Sequence, residues 1–207
     1  MKELIKKLRL TIILPCLFYF FFPFICKGEE NTDFSFSAPE ISYNQGFRLK
    51  TNILPWLLTI PNIGAEYLFA EKWSVELNVW YCPWKLTDKI SVKTVSILPE
   101  FRWWIKSNRK GSFLNIHLDF AWFNVRMNNY RYQDPGRPLL GGGIGYGYRL
   151  ELDKRWGMEF EIGAGFVNAR YDRYYNVPNG ELIDTRVSSI ITIDRAAITV
   201  SYNLGDL

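Results

Sequence analysis

The feature that most constrains this chain is a strict alternation of apolar and polar residues, repeated along the sequence from Phe47 onward. A period of two places alternate side chains on opposite faces of a strand, and no stretch after Phe47 holds a helical period instead. In the third such segment Trp73, Val75, Leu77, Val79 and Tyr81 oppose Ser74, Glu76, Asn78, Trp80 and Cys82. In the fifth, Leu114, Ile116, Leu118, Phe120 and Trp122 oppose Asn115, His117, Asp119 and Ala121. The sixth sets Leu140, Ile144, Tyr146, Tyr148, Leu150 and Leu152 against Gly141, Gly143, Gly145, Gly147, Arg149 and Glu151. The seventh sets Trp156, Met158, Phe160, Ile162, Ala164 and Phe166 against Gly157, Glu159, Glu161, Gly163 and Gly165. Weaker alternation covers about Phe47–Leu54, Asn62–Leu68, Val95–Ile105 and about Ile190–Leu204. The parity of the last slips near Asp194, as at a bulge.

The connections alternate in length. Phe69–Lys72, Lys106–Ser112 and Asp153–Arg155 are short, whereas Pro83–Val92, Arg126–Pro138 and Ala169–Val187 are long and Pro55–Pro61 is the one short member of that second set. The long ones carry the turn residues Asp134-Pro135-Gly136 and Pro178-Asn179-Gly180. Eight alternating segments, joined short on one side and long on the other, predict an all-β, eight-stranded antiparallel up-and-down transmembrane β-barrel over 47–205.

Alternation leaves open which face is wet, since a soluble lipocalin-like carrier also alternates, with its apolar face inward. Tryptophan placement argues for lipid outside. Trp73 and Trp156 begin strands after short turns, Trp103 and Trp104 end one before a short turn, and Trp56 and Trp84 lie at the opposite rim. Aromatic girdles at two interfaces have this pattern. The polar face mixes glycines with opposite charges and with the bulky Trp80 and Trp104, and eight strands enclose a bore just wide enough for side chains. Such a face predicts a filled lumen with a network of Glu66, Glu76, Glu100, Arg102, His117, Asp119, Arg149, Glu151, Glu159 and Glu161, with Arg195 beside it. A filled bore makes a channel the least favoured function.

The N-terminus fits the same location. A basic head (1–10), an apolar core (11–25) and a polar stop at Lys27-Gly28-Glu29-Glu30 read as a signal peptide over 1–28. The apolar core is short of the ~20 residues that a spanning helix needs, and it holds Pro15 and Pro23. Residues 29–46 read as an extended polar leader. The net charge of +4 is local to the signal, which holds five Lys/Arg against one acid out of totals of 25 and 21. The remainder is neutral, so the charge gives no ground for a nucleic-acid partner. With Cys16 and Cys26 inside the signal, Cys82 stands alone, which excludes an intrachain disulfide or thiolate metal cluster in the mature chain.

Several stretches resemble a domain family of unknown function common in Bacteroides-type Gram-negative bacteria. They are Lys50-Thr51-Asn52-Ile53-Leu54, Pro61-Asn62-Ile63-Gly64-Ala65-Glu66, Glu71-Lys72-Trp73-Ser74, the alternating glycines leading to Tyr148, and Val200-Ser201-Tyr202-Asn203-Leu204-Gly205. The resemblance covers most of 47–205. It implies a small outer-membrane barrel. Members are often encoded beside fimbrial or adhesin genes, which implies a role in the cell envelope. Pro55 and Pro99 depart from the pattern, and Pro99 removes a ladder donor from the fourth segment.

Chemistry-bearing residues carry bland readings. His117 could be a general base in a lipid A or phospholipid hydrolase, but no nucleophile motif accompanies it. Glu159 and Glu161 share a face and suit charge pairing in the bore better than acid–base work. The glycines at 141–147 match no phosphate-loop pattern and precede no helix. No cofactor and no metal site is expected. The long connections are the candidates for binding: Arg126, Tyr130, Arg131, Tyr132 and Arg137 in one, Arg170, Tyr171, Arg173, Tyr174 and Tyr175 in the other. Tyr and Arg are favoured at interface hot spots, and Arg suits the phosphates of lipopolysaccharide. The sequence therefore predicts a monomeric, non-enzymatic protein of a Gram-negative outer membrane that contacts lipid and displays loops to a surface or fimbrial partner. A barrel-embedded lipid-modifying enzyme and a soluble periplasmic carrier are the alternatives.

Overall fold

A computed structural model describes residues 46–106 and 110–204. The expected signal peptide, the leader up to residue 45 and residue 205 lie outside the described residues. Nine strands and one short helix follow in order: β1 (Gly46–Asn52), α1 (Ile53–Leu57), β2 (Asn62–Ala70), β3 (Trp73–Lys85), β4 (Ile90–Trp104), β5 (Gly111–Met127), β6 (Tyr130–Gln133), β7 (Leu139–Glu151), β8 (Trp156–Tyr175) and β9 (Leu182–Asn203).

All neighbouring strands pair antiparallel, and the sheet closes on itself. Eight of the strands make the complete ring β1-β2-β3-β4-β5-β7-β8-β9, with β9 returning to β1 through the register Lys50↔Ser201. The ninth, β6, is a short insert. Above the start of β7, at Leu140↔Asn168, it takes the place between β5 and β8 through Arg126↔Arg131 and Arg131↔Tyr174. The predicted long connection Ala169–Val187 is therefore mostly strand, and Arg126–Pro138 holds the end of β5 and all of β6. Their Tyr, Arg, Val and Ile residues suit a pleated surface, and each edge finds a partner. Together β6 and the upper ends of β5, β8 and β9 build a flap standing above the ring.

Side-chain parity follows the alternation. Trp73, Val75, Leu77, Val79 and Tyr81 are exposed while Ser74, Glu76 and Cys82 are buried. The same division holds along β5, where Leu114, Ile116 and Leu118 point out and Phe113, Asn115 and His117 point in. The interior is thus mostly polar and charged, and the exterior carries the large apolar side chains. Trp104 belongs to the interior: it is fully buried against Phe113, with ring centroids 4.8 Å apart, and is not part of a girdle.

Local departures have local causes. The helix α1, too short to give a period, is capped by the Asn52 side chain, which accepts from the Leu54 backbone at 3.1 Å. Pro99 keeps its place in the β3–β4 ladder opposite Leu77, but the β4–β5 ladder skips from Ile97↔Phe120 to Glu100↔His117. The parity slip in the last segment is a bulge: Gly163 pairs with Arg195 and Ala164 with Ile193, leaving Asp194 as the extra residue.

Glycines on the inner face make room for bulk opposite. A Cβ on Gly147 would lie 2.2 Å from Phe113 Cζ, and one on Gly157 would lie 2.4 Å from Arg149 Nη2. Replacing Gly147 by valine is expected to destabilise the refolded barrel by about 1–3 kcal/mol, the usual effect of overpacking. Ile144→Val on the outer face should cost less than about 1.5 kcal/mol. Equilibrium unfolding in urea measures both, and equal midpoints for the two would show that Gly147 has no packing role.

Candidate functional site

The bore is filled from the inside of every ring strand, and Lys50 of β1 lies at its centre. Its Nζ is 2.7 Å from Glu66 of β2, Glu76 of β3 and Glu159 of β8. Those carboxylates need a shared cation. Glu66 stands directly opposite Glu76 in the β2–β3 register, and Glu76 opposite Glu100 in the β3–β4 register. Like charges opposite one another destabilise a pair of strands unless a counter-charge enters between them.

Arg102 of β4 supplies the second cation. Its guanidinium donates to Glu159 at 2.7 Å and to Glu161 at 3.1 Å, pairs with Glu76 at 2.9 Å, and contacts Glu100 through Nε. Its face lies over the Phe113 ring, 4.4 Å from the centroid. Arg149 Nη1 donates to Glu159 and to Ser201. Arg195 donates to Glu100 at 2.9 Å and to Asp119 at 3.2 Å. Below this layer Arg48 pairs with Glu66, Ser74 donates to Glu66, and Trp104 Nε1 donates to Ser74 at 2.9 Å.

Of the ten residues expected in the lumen network, nine point into the bore. The tenth, Glu151, is exposed at the rim and pairs with Lys110 at 2.5 Å. It is the last residue of β7, beyond the layer that the ring encloses. Sequence reasoning missed Arg48, Lys50 and Asp194. The first two alternate with exposed Phe47 and Leu49, a signal present but short. Asp194 faces inward because of the bulge; the alternation marks the slip there but not the direction in which the extra residue turns. Among the described residues, the buried cluster holds seven carboxylates (Glu66, Glu76, Glu100, Asp119, Glu159, Glu161, Asp194) against five cations (Arg48, Lys50, Arg102, Arg149, Arg195).

Above the charged layer lies a cavity of about 370 Å³, bounded by Asn78, Trp80, Ser96, Asp119, Asp194 and Arg195 among others. His117 lies behind the cavity wall, fully buried, and reaches it through Asp194. Its Nδ1 is 3.1 Å from Asn115 Oδ1 and its Nε2 is 3.2 Å from Asp194 Oδ2.

The residues expected in binding loops are gathered in the flap, where many of them hold it together. The Arg131 guanidinium lies over Tyr174, and that of Arg173 over Tyr130. Tyr130 stacks near Tyr175, and Tyr132 meets Tyr171 edge-on. Arg173 makes two 3.0 Å hydrogen bonds to Asp184, which also accepts from Arg186 at 2.8 Å. Although desolvation pushes the Asp184 carboxyl up, the Arg186 hydrogen bond and the Arg173 charge bring it below its ordinary value. Arg137, exposed, donates to Asn168 at 2.6 Å. Arg126 is half-buried opposite Arg131, and Arg170 is exposed opposite Val187.

A family model described as a protein of unknown function (DUF3575) matches residues 32–204. The chain belongs to the DUF3575 family. The match spans the whole ring and begins inside the stretch read as a leader. Comparison with curated proteins and with solved structures gives no match. The family label carries no activity, so function rests on the geometry of the ring, its lumen and its flap.

The central role of Lys50 has a direct test. Lys50→Met removes the ammonium and leaves Glu66, Glu76 and Glu159 facing one another. Breaking a buried pair by removing one partner costs about 3–5 kcal/mol. Urea unfolding should show a loss of that order, or no folded protein at all. An unchanged midpoint would show that the lumen does not depend on this cation.

Proposed function

We propose that the protein is an outer-membrane β-barrel of the cell envelope that presents its strand flap as an interaction surface. The observation that carries this reading is the inverted distribution of polarity. The ring buries Lys50, Arg102, Arg149, Glu66 and Glu159 while Ile116, Ile144, Ile162, Ile191 and Ile193 each expose more than half of their surface. An apolar exterior of that extent needs a solvent other than water, and hydrocarbon suits it.

Aromatic side chains at the two rims support the same orientation. Trp73, Trp103 and Trp156 are exposed at the end with short connections, and Trp73 packs against both Phe101 and Trp103. At the other end Trp56 and Trp84 each donate an indole N–H to a threonine hydroxyl. Amphipathic rings of this kind suit the boundary between hydrocarbon and headgroup.

Both described chain ends lie beside the short connections, so the flap is on the opposite side. Short turns face the periplasm and long connections face outward in outer-membrane barrels. The flap is therefore the outward part, and its Arg and Tyr residues fit lipopolysaccharide phosphate or a surface or fimbrial protein. The barrel acts as a monomer in this reading. A soluble carrier of apolar ligands would turn its apolar face inward, and here that interior is charged. No nucleophile accompanies His117 among the described residues, which weighs against hydrolysis of lipid.

Fractionation tests the location: the protein should sediment with outer membranes and migrate differently on a gel before and after boiling. Recovery from the soluble periplasm would overturn the reading. Ile162→Arg on the outer face should cost ~2–4 kcal/mol in lipid-reconstituted unfolding, the range for a cation at mid-bilayer. An epitope inserted after Asn179 should be reachable by antibody on whole cells, and one after Asp153 should not. The reverse pattern would invert the orientation.

A further inference from the structure

We propose that His117, Asp119 and Asp194 form a binding site for one divalent transition-metal ion, of the Zn²⁺ or Mn²⁺ type, at the edge of the lumen cavity. Their ligand atoms lie within 4.8 Å of one another. A tetrahedral ion about 2.1 Å from each sets ligand atoms about 3.4 Å apart, so the widest pair would close by up to about 1.4 Å. One imidazole nitrogen with two carboxylate oxygens is a mixed donor set, which favours such ions over Mg²⁺ or Ca²⁺.

The hydrogen-bond network around His117 is the independent reason. Asn115 Nδ2 donates to Glu161 at 3.0 Å, which orients its amide so that Oδ1 faces His117. The His117 Nδ1 at 3.1 Å from that oxygen must then be the protonated nitrogen. In the neutral ring Nε2 carries a lone pair, and it is aimed at Asp194 Oδ2, 3.2 Å away. Two acceptors facing one another, both buried, require a cation between them or a proton shared between the ring and the carboxylate. The Asp194 side chain is 4% exposed, and neither of its oxygens accepts a hydrogen bond in the described structure. A metal-bound histidine whose other nitrogen donates to an amide oxygen is also the usual way to fix ring and tautomer.

Charge favours the ion over the proton. The buried cluster has a surplus of two carboxylates, which a divalent ion cancels and an imidazolium halves. The backbone supports the geometry as well. The bulge turns Asp194 inward, and Gly165 beside it leaves the space, since a Cβ there would lie 2.0 Å from Asp194 Oδ2. The cavity of about 370 Å³ above gives water and an ion room to reach the site. Arg195 holds Asp119 at 3.2 Å and bounds the site on its other side.

His117 is the single histidine of the chain, so its ring can be observed without ambiguity. The experiment uses the full mature chain, folded in detergent and purified without a polyhistidine tag. Zn²⁺ and Mn²⁺ are titrated by calorimetry, and the imidazole ¹⁵N resonances are followed with Zn²⁺. The expected result is one ion per chain, with the His117 Nε2 resonance shifting on saturation and Nδ1 remaining protonated. Asp194→Asn and His117→Gln should each weaken binding by more than about a hundredfold, beyond what loss of an outer contact gives. Heat-dependent gel migration reports whether each variant folds, and if neither does, the wild-type titration decides alone. The proposal is overturned if wild-type chain binds neither ion at a defined stoichiometry. It is equally overturned if both ring nitrogens are protonated at neutral pH and ignore the ion, or if folded variants bind as wild type.

Discussion

Closing eight strands into a narrow ring puts charged side chains from opposite walls within reach of each other and out of reach of water. The structure depends on how those charges are matched. Burying an isolated carboxylate or ammonium costs several kcal/mol, and good geometry with complete pairing is what offsets it. Lys50 meets that condition with three carboxylates at 2.7 Å, and Arg102 meets it with a fork that spans four. Because these partners come from β2, β3, β4 and β8, the network holds walls together that share no backbone ladder.

The rest of the architecture follows from giving the interior to charge. Apolar residues have only the outer face left, which is why Ile, Leu, Trp and Tyr recur there. The bore must hold bulky ion pairs and the Trp104–Phe113 stack, so the facing positions on β7 and β8 are glycines. Above the filled layer the side chains shrink to Ala121, Ala197 and Ser96, and the cavity opens. The flap continues β5, β8 and β9 past the ring, with β6 inserted between the first two, and holds together through Arg–Tyr stacks and the Arg173–Asp184–Arg186 cluster.

Much of this was legible in the sequence because period two is a direct imprint of the strand pleat. It placed the ring strands, the inward acids Glu66, Glu76, Glu100, Glu159 and Glu161, and the slip at Asp194. It was less informative where a segment is short, as with Arg48 and Lys50 in β1. It also stopped too early at Arg126–Pro138 and Ala169–Val187, because turn residues and polar composition look alike in a loop and in an exposed hairpin. Trp104 was read both as a girdle residue and, by parity, as a bulky member of the inner face, and only the second reading holds. A tryptophan at a strand end suits an interface equally well on either parity, and here the indole points inward to Ser74. The cluster of His117, Asp119 and Asp194 is assembled by register across β5 and β9, far apart in the chain, so no spacing motif could announce it.

The shortness of β1 has a consequence for how the molecule comes together and comes apart. β1 meets β9 only from Arg48 to Asn52, whereas β8 and β9 run together from Trp156 to Tyr174. The seam with little backbone holding it is therefore the one whose strand carries Lys50, a clasp fastened from inside. Its carboxylates sit on both sides of that seam, Glu66 and Glu76 on β2 and β3 and Glu159 on β8, so a half-closed sheet assembles the cluster only in part. Opening the seam would strand charge in the bore at once. Intermediates with a gaping edge are disfavoured from both directions, and closure and rupture become all-or-none events.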